Sequence, residues 1–311
     1  MKNFIIILVV IVIIGAGAYF LFQGPSGGEE VIIPPVEPAA TTTATNQPPS
    51  NASTTQGAVA NEGGEVVIGK SVEGRNIIAY NYNYSGDKDA QVLFVGGIHG
   101  GYEWNTVLVA YQLMDYLKAN PAVIPSNVKV TVIPALNPDG LNKVVGKEGR
   151  FTAADLPRAE ARVAGRFNAN EVDLNRNFDC DWQATGKWQN KSVSGGHVPF
   201  SEPESRAFRD YVETHNLSAV VAWYSAAGGV FASNCHNGIL PETSNLTTLY
   251  ARASGYSAYE SFDFYAVTGD MVNWLAKEGI PAISVLLTNH EDTEWTKNRA
   301  GIEALLKYYA K

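Results

Sequence analysis

Cysteine is scarce: only Cys180 and Cys235 occur in the 311 residues, too few for a disulfide framework or a thiolate zinc site. One disulfide between them stays open and depends on the compartment. A basic excess is missing as well. The formal charge is −8, the pI is near 5.2, and no Lys/Arg run occurs, which argues against nucleic acid or an acidic membrane surface as a partner. No internal repeat is apparent. What is present is a hydrophobic content of 45% against 17% charged residues, the balance of a chain with a real core.

The N-terminus carries the one long apolar run. Lys2 precedes Phe4–Phe22, FIIILVVIVIIGAGAYFLF, which has no charge and matches the roughly 20 residues that span a bilayer. Residues 1–23 are therefore expected to be a transmembrane anchor or uncleaved signal. The competing reading is a cleaved signal peptide, since Ala16-Gly17-Ala18 resembles a cleavage site. No cysteine stands at or just after the end of the run, so lipoprotein anchoring is not expected. Residues 24–63 are rich in Pro, Thr, Ala, Ser, Asn and Gly without hydrophobic periodicity, which reads as a linker. Residues 64–311 are the folded domain, expected outside the cytoplasm, membrane-anchored or else secreted.

From Glu65 onward short apolar runs alternate with helical stretches. Strands are predicted at Val66–Ile68, Ile77–Tyr80, Gln91–Gly96, Val128–Pro134, Ala219–Trp223 and Ala282–Leu287. Several are continuously apolar, as strands buried on both faces are. Helices are predicted at Glu103–Ala119, Glu202–His215, Thr268–Lys277 and Thr293–Tyr309. The alternation predicts a single α/β domain: a mixed, largely parallel central sheet covered by helices on both faces.

Ligands of open α/β sheets bind outside the carboxyl ends of the strands, and four segments fall there. GGIHGGYEWN (Gly96–Asn105) offers His99 and Glu103, one nitrogen and one carboxylate suited to zinc. The bland alternative for that pair is capping and packing at a helix start. GRFNANEVDLNRNFD (Gly165–Asp179) offers Arg166, Asn175 and Arg176, which could clamp a carboxylate. FYAVTGDMVNW carries Tyr265 ahead of a helix, and PAISVLLTNHED ends the last strand.

With PALNPDG, PFSEPES and the spacing from Tyr265 to Trp274, these motifs in this order resemble the metallocarboxypeptidase family, the carboxypeptidase A-like zinc peptidases. The resemblance covers essentially the whole folded part. It implies one zinc ion, with His99 and Glu103 as its first two ligands. The family's usual spacing there is HxxE, whereas His99-Gly100-Gly101-Tyr102-Glu103 has one residue more, which the glycines can absorb. It further implies that Asn175 and Arg176 hold a peptide's terminal carboxylate and that Tyr265 closes over it. Arg166 would polarise the scissile carbonyl. Asp270 would lie on the specificity loop and favour basic or amine-bearing ends. Cys180 follows NRNFD and Cys235 follows the Tyr224 strand, so in an exported domain a disulfide bracing loops beside the cleft is expected.

Two positions depart from the family. Tyr224 stands where the third zinc ligand, a histidine, is found, and a neutral phenol is a poor zinc ligand. Leu286, or Leu287 with a one-residue shift, stands at the general-base glutamate. His290 is the best-placed histidine for a rescue, ahead of His197, His215 and His236; Glu291, Asp292 and Glu294 are more remote bases. The reading that follows is a membrane-tethered protein that recognises peptide C-termini with lost or reduced hydrolysis. An active, remodelled zinc carboxypeptidase is the alternative; exported bacterial relatives of the family trim cell-wall peptides. A non-catalytic envelope interaction protein is the second alternative.

Overall fold

The computed structural model describes residues 64–311. The apolar run at 4–22 and the linker at 24–63 lie outside the described residues, and no described helix is long and apolar enough to cross a membrane.

All six predicted strands form. They are β1 (Glu65–Lys70), β2 (Asn76–Tyr82), β3 (Ala90–Val95), β4 (Val128–Ile133), β7 (Ala219–Ser225) and β10 (Ala282–Leu287), joined by β8 (Gly229–Ala232) and β9 (Ser257–Tyr259) in one eight-stranded sheet ordered β1-β2-β4-β3-β7-β10-β8-β9. The four middle strands β4, β3, β7 and β10 run parallel, while β1–β2, β2–β4 and β10–β8 are antiparallel. A separate hairpin pairs β5 (Thr185–Trp188) with β6 (Lys191–Ser194).

The alternation of side chains along each strand makes two cores. Val92, Phe94, Val221, Trp223, Val285 and Leu287 point to one face, under α1 (Trp104–Ala119), α4 (Pro241–Ser254) and α6 (Trp295–Tyr308). Leu93, Val95, Val220, Ala222, Tyr224 and Leu286 point to the other, under α3 (Pro203–Glu213) and α5 (Met271–Lys277). A short helix, α2 (Pro138–Val145), begins in the PALNPDG segment, capped by the Asn137 side chain accepting from Gly140 N–H. Truncating a fully buried core side chain such as Leu93 should cost about 2–5 kcal/mol.

The sequence reading missed α2, α4, β8, β9 and the β5–β6 hairpin. All are short or of low hydrophobic contrast: α4 reads PETSNLTTLYARAS, and β9 is exposed throughout. Two predicted helices also start late. α5 begins at Met271 because Asp270 caps it, accepting from Asn273 N–H. α6 begins at Trp295 because Glu294 adopts a positive φ of 45° just before it.

Candidate active site

The carboxyl ends of β3, β7 and β10 converge on a cleft of about 860 Å³, at the point where the chain's path through the parallel strands reverses. It collects His99, Glu103, Arg166, Asn175, Arg176, Tyr224, Tyr265, Asp270 and Leu286 in its lining, so every residue singled out by the motifs faces one space.

β3 delivers His99 through a tight turn. The extra residue of the HGGYE segment is taken up in a 3-10 turn over Gly100–Glu103. Gly100 has φ +45°, and a Cβ there would stand 2.5 Å from the Gly165 carbonyl oxygen, so only glycine fits. His99 and Glu103, both buried, are thereby brought to 2.9 Å between Nδ1 and Oε1. That approach is not an aligned hydrogen bond: neither His99 nitrogen nor Glu103 Oε2 has a partner.

Asp173, which the sequence reading passed over, organises this half. It is fully buried, accepts from Arg166 Nε at 2.9 Å with Arg166 Nη2 2.8 Å away in the same ion pair, and its Oδ1 lies 3.4 Å from His99 Nε2. Burial works against its charge, but the Arg166 guanidinium and His99 outweigh it and hold the carboxyl far below the usual carboxylate range. The signal was in view, since Asp173 sits inside VDLNRNFD two residues ahead of Asn175. Arg166 in turn lies over the Trp188 ring at 4.5 Å, 3.8 Å from Glu103.

The other half is built around Arg176, whose guanidinium is buried yet lines the cleft. Its Nε and Nη2 donate to the Lys187 carbonyl at 2.9 and 2.7 Å, and Nη1 donates to the Asn175 carbonyl at 2.6 Å. Of five N–H groups three are used, leaving one on each terminal nitrogen, the arrangement that meets a carboxylate with two parallel bonds. The β5–β6 hairpin supplies Lys187, and Gly186 leaves room for the arginine stem, since a Cβ there would be 2.8 Å from Arg176 Cδ. Asn175 donates to Asp270 Oδ2 at 2.8 Å and accepts from Met271 N–H at 3.0 Å. The Tyr265 ring lies 6.0 Å from Arg176 and packs edge-on against Phe262 at 5.0 Å. Cys180 and Cys235 are joined in a disulfide with Cα atoms 6.1 Å apart. Cys235 follows β8 rather than the Tyr224 strand directly, and Cys180 also accepts from Gly269 N–H of the Tyr265 loop at 2.7 Å.

Asp270 is less available than its place on that loop suggests. One carboxylate oxygen accepts from Asn175 and the other from Asn273 N–H. Burial raises its pKa, against the opposing Asn273 N–H and Arg176. It is a helix cap that steadies Asn175.

Tyr224 and Leu286 stand opposite each other on parallel β7 and β10, both turned to the cleft face, whereas Leu287 points into the opposite core; of the two leucines, Leu286 is the one that lines the cleft. Burial, with Asp270 and Glu103 nearby, pushes the Tyr224 phenol well above its usual range, so it is neutral; it donates weakly to Asn175 Oδ1 at 3.4 Å. Glu291 pairs with Arg162, Asp292 with Asn289, and Glu294 with Thr288, Tyr256 and Lys297. None of the three lines the cleft. His290 does, its ring tilted against Tyr102 at 4.6 Å between centroids and its Nδ1 buried and unpartnered. His215 is stacked on Tyr211, and His236 pairs with Asp181 on the surface.

The zinc carboxypeptidase (peptidase M14) family model matches residues 64–299. The chain belongs to the zinc carboxypeptidase family. Among curated relatives, the human carboxypeptidase N catalytic chain is 28% identical over 182 residues, 55% of this chain but 37% of the relative. The gamma-D-glutamyl-L-diamino acid endopeptidase 1 of Lysinibacillus sphaericus is 25% identical, covering 58% of this chain and 50% of the relative. The chain thus spans half or less of the length of either. Among solved structures, the murein-tripeptide amidase MpaA of Escherichia coli O157 superposes with a TM-score of 0.57 at 20% identity, over 82% of this chain and 96% of that one. Bovine thrombin-activatable fibrinolysis inhibitor gives a TM-score of 0.60 at 18% identity, over 79% and 87%.

The family implies zinc, and the cleft of this zinc carboxypeptidase-family chain fits it only in part. His99 and Glu103 have the right donor atoms, unpartnered and convergent. The third donor is absent: Tyr224 is a neutral phenol, and among the described residues no three His, Cys, Asp or Glu side chains form a metal cage.

Proposed function

We propose that this chain recognises peptide C-termini in its cleft and hydrolyses them poorly or not at all. The observation that carries the reading is the split between the two halves: Arg176 keeps two free N–H groups for a carboxylate, while Leu286 leaves the base position unable to take a proton. Loss of a general base costs about 10²–10⁴ in rate, and an open metal site with a missing imidazole adds to that. The test is metal analysis of the purified chain paired with a C-terminal trimming assay. Stoichiometric zinc with chelator-sensitive turnover would sink the reading; zinc-free binding of peptides that is lost in Arg176→Ala supports it.

An active enzyme with a remodelled site is the second reading. It is favoured by His290, whose unpartnered Nδ1 lines the same cleft. For either reading we propose a setting outside the cytoplasm, tethered by the apolar run at 4–22 through the linker, with secretion after cleavage as the variant outcome. The disulfide supports an oxidising compartment. Cell-wall peptides are the substrate class we propose, supported by the names of the murein-tripeptide amidase and the diamino acid endopeptidase. Protease accessibility of the domain on intact cells tests the setting, and binding of muropeptides tests the substrate class.

A further inference from the structure

The β5–β6 hairpin touches both arginines of the cleft through consecutive residues. The Lys187 carbonyl accepts from Arg176 Nε and Nη2, and the Trp188 ring lies 4.5 Å from the Arg166 guanidinium. The hairpin therefore runs alongside the path from the carboxylate clamp to the Glu103 half, where Arg166 stands. Trp188 is buried, packed by Arg166, by Lys191 with Nζ 5.0 Å from the ring, and by Tyr102 edge-on at 5.1 Å. That packing fixes the strand end from which the tip springs.

The tip is a two-residue loop, Gln189–Asn190, since Trp188 pairs with Lys191. Both residues are exposed, and both line the cleft. Gln189 takes a φ of 54°. Two-residue hairpin loops need a positive φ at the first position and are served best by Gly, Asn or Asp, so a glutamine there is strained. Seven non-glycine residues among the described ones have a positive φ, and of these Gln189 is the one that lines the cleft. Glycine would make the better turn. What glycine lacks is the side-chain amide, a donor and an acceptor on one planar group, which matches a peptide bond. On the other side of Arg176 the cleft is walled by the rings of Tyr265, Phe262 and Phe264, apolar surface suited to a side chain. The polar groups of a ligand's backbone need partners, and the hairpin side offers them.

We propose that the hairpin tip is an upstream subsite: Gln189, with Asn190 beside it, hydrogen-bonds the backbone of the residues that precede the terminal one in a bound peptide. This rests on the carboxylate-binding reading above and makes the ligand an extended peptide rather than a free amino acid.

The experiment is calorimetric titration of the purified full chain, in excess chelator, with N-acetyl-phenylalanine and with its extensions by one, two and three alanines on the N-terminal side. Affinity should rise by about 3–10-fold on one of these extensions, the gain of one or two neutral hydrogen bonds. Gln189→Gly should erase that step and leave the affinity for N-acetyl-phenylalanine unchanged. Its melting temperature should fall by no more than about 2 °C, because glycine suits the turn. Arg176→Ala should weaken binding of every member. A wild-type affinity that is flat with length, or a Gln189→Gly chain that keeps the full step, overturns the subsite and leaves the carboxylate reading in place. The wild-type series decides alone if the variant folds poorly. An equal loss for N-acetyl-phenylalanine and the longer peptides in Gln189→Gly overturns the subsite too, since the tip then acts only by shaping the clamp. Binding of no member overturns both readings.

Discussion

The two halves of the cleft have kept different things. Around Arg176 and Asn175 every polar group is either paired or presented: the guanidinium is braced by two backbone carbonyls, and Asp270 and Met271 fix the amide. Around His99 and Glu103 the scaffold is equally firm, with Asp173 and Arg166 locked together, yet both His99 nitrogens and Glu103 Oε2 have no hydrogen-bond partner among the described residues. On the reading proposed above, the difference teaches that a supporting shell can stand beside an incomplete ligand set. Asp173 and Arg166 are a buried ion pair, and removing either would strand the other.

The largest effect should come from restoring the second half. Tyr224→His with Leu286→Glu supplies an imidazole and a carboxylate on neighbouring parallel strands. Zinc affinity should rise by about 10–100-fold or more, and C-terminal trimming by about 10²–10⁴. Metal titration and a peptide-trimming assay measure the two gains. If neither appears, the halves do not differ in the way drawn here.

A second measurement compares stability across the halves. Asp173→Ala leaves Arg166 buried and unpaired and should cost about 3–5 kcal/mol. Asp270→Ala removes a helix cap and should cost about 0.5–2 kcal/mol. Thermal or denaturant unfolding gives both numbers, and equal losses would mean that Asp173 is no more central than the cap. A third prediction concerns ligand: Arg176→Ala should weaken peptide binding by about 1.5–3 kcal/mol, roughly 10–150-fold, read by calorimetry.

How much of this was legible before the fold was seen follows from what kind of signal each feature leaves. All six predicted strands form; β8 is buried but only four residues long and was missed, and β9 is exposed at every position and left no pattern. Residues inside dense motifs, such as His99, Glu103 and Arg176, could be placed from the motif. Tyr224 and Leu286 were visible as departures from the motif, and the pleat of β10 turns Leu286, not Leu287, to the cleft face. What the sequence could not show was occupancy. Asp270 looks like a free acid on a loop until its two oxygens are seen to be taken, and Asp173 looks like one more polar loop residue until Arg166 and His99 are seen around it. Hydrogen-bond partners far apart in the chain, such as Asn175 and Asp270, leave no local trace.

The smallest effect belongs to His290, and it bears on whether the second half is truly without metal. Burial pushes this imidazole below its ordinary value, with Glu103 opposing and His99 and Arg166 adding to the shift. The folded state therefore holds the His290 proton more weakly than the unfolded chain, whose pKa is about 6.5. Stability is then undiminished above that value and declines as pH falls from it toward the lowered folded pKa. His290→Gln should flatten the decline, by about 1 kcal/mol or less, as measured from denaturant midpoints at pH 7.5 and 5.5 in excess chelator. Repeating the pair with zinc present sharpens the point. A zinc ligand must shed its proton, so recruitment of His290 would steepen the wild-type slope on zinc addition and leave the variant unmoved. An identical slope with and without zinc keeps His290 out of any metal set and leaves the carboxylate-holding half as the part of the cleft that works.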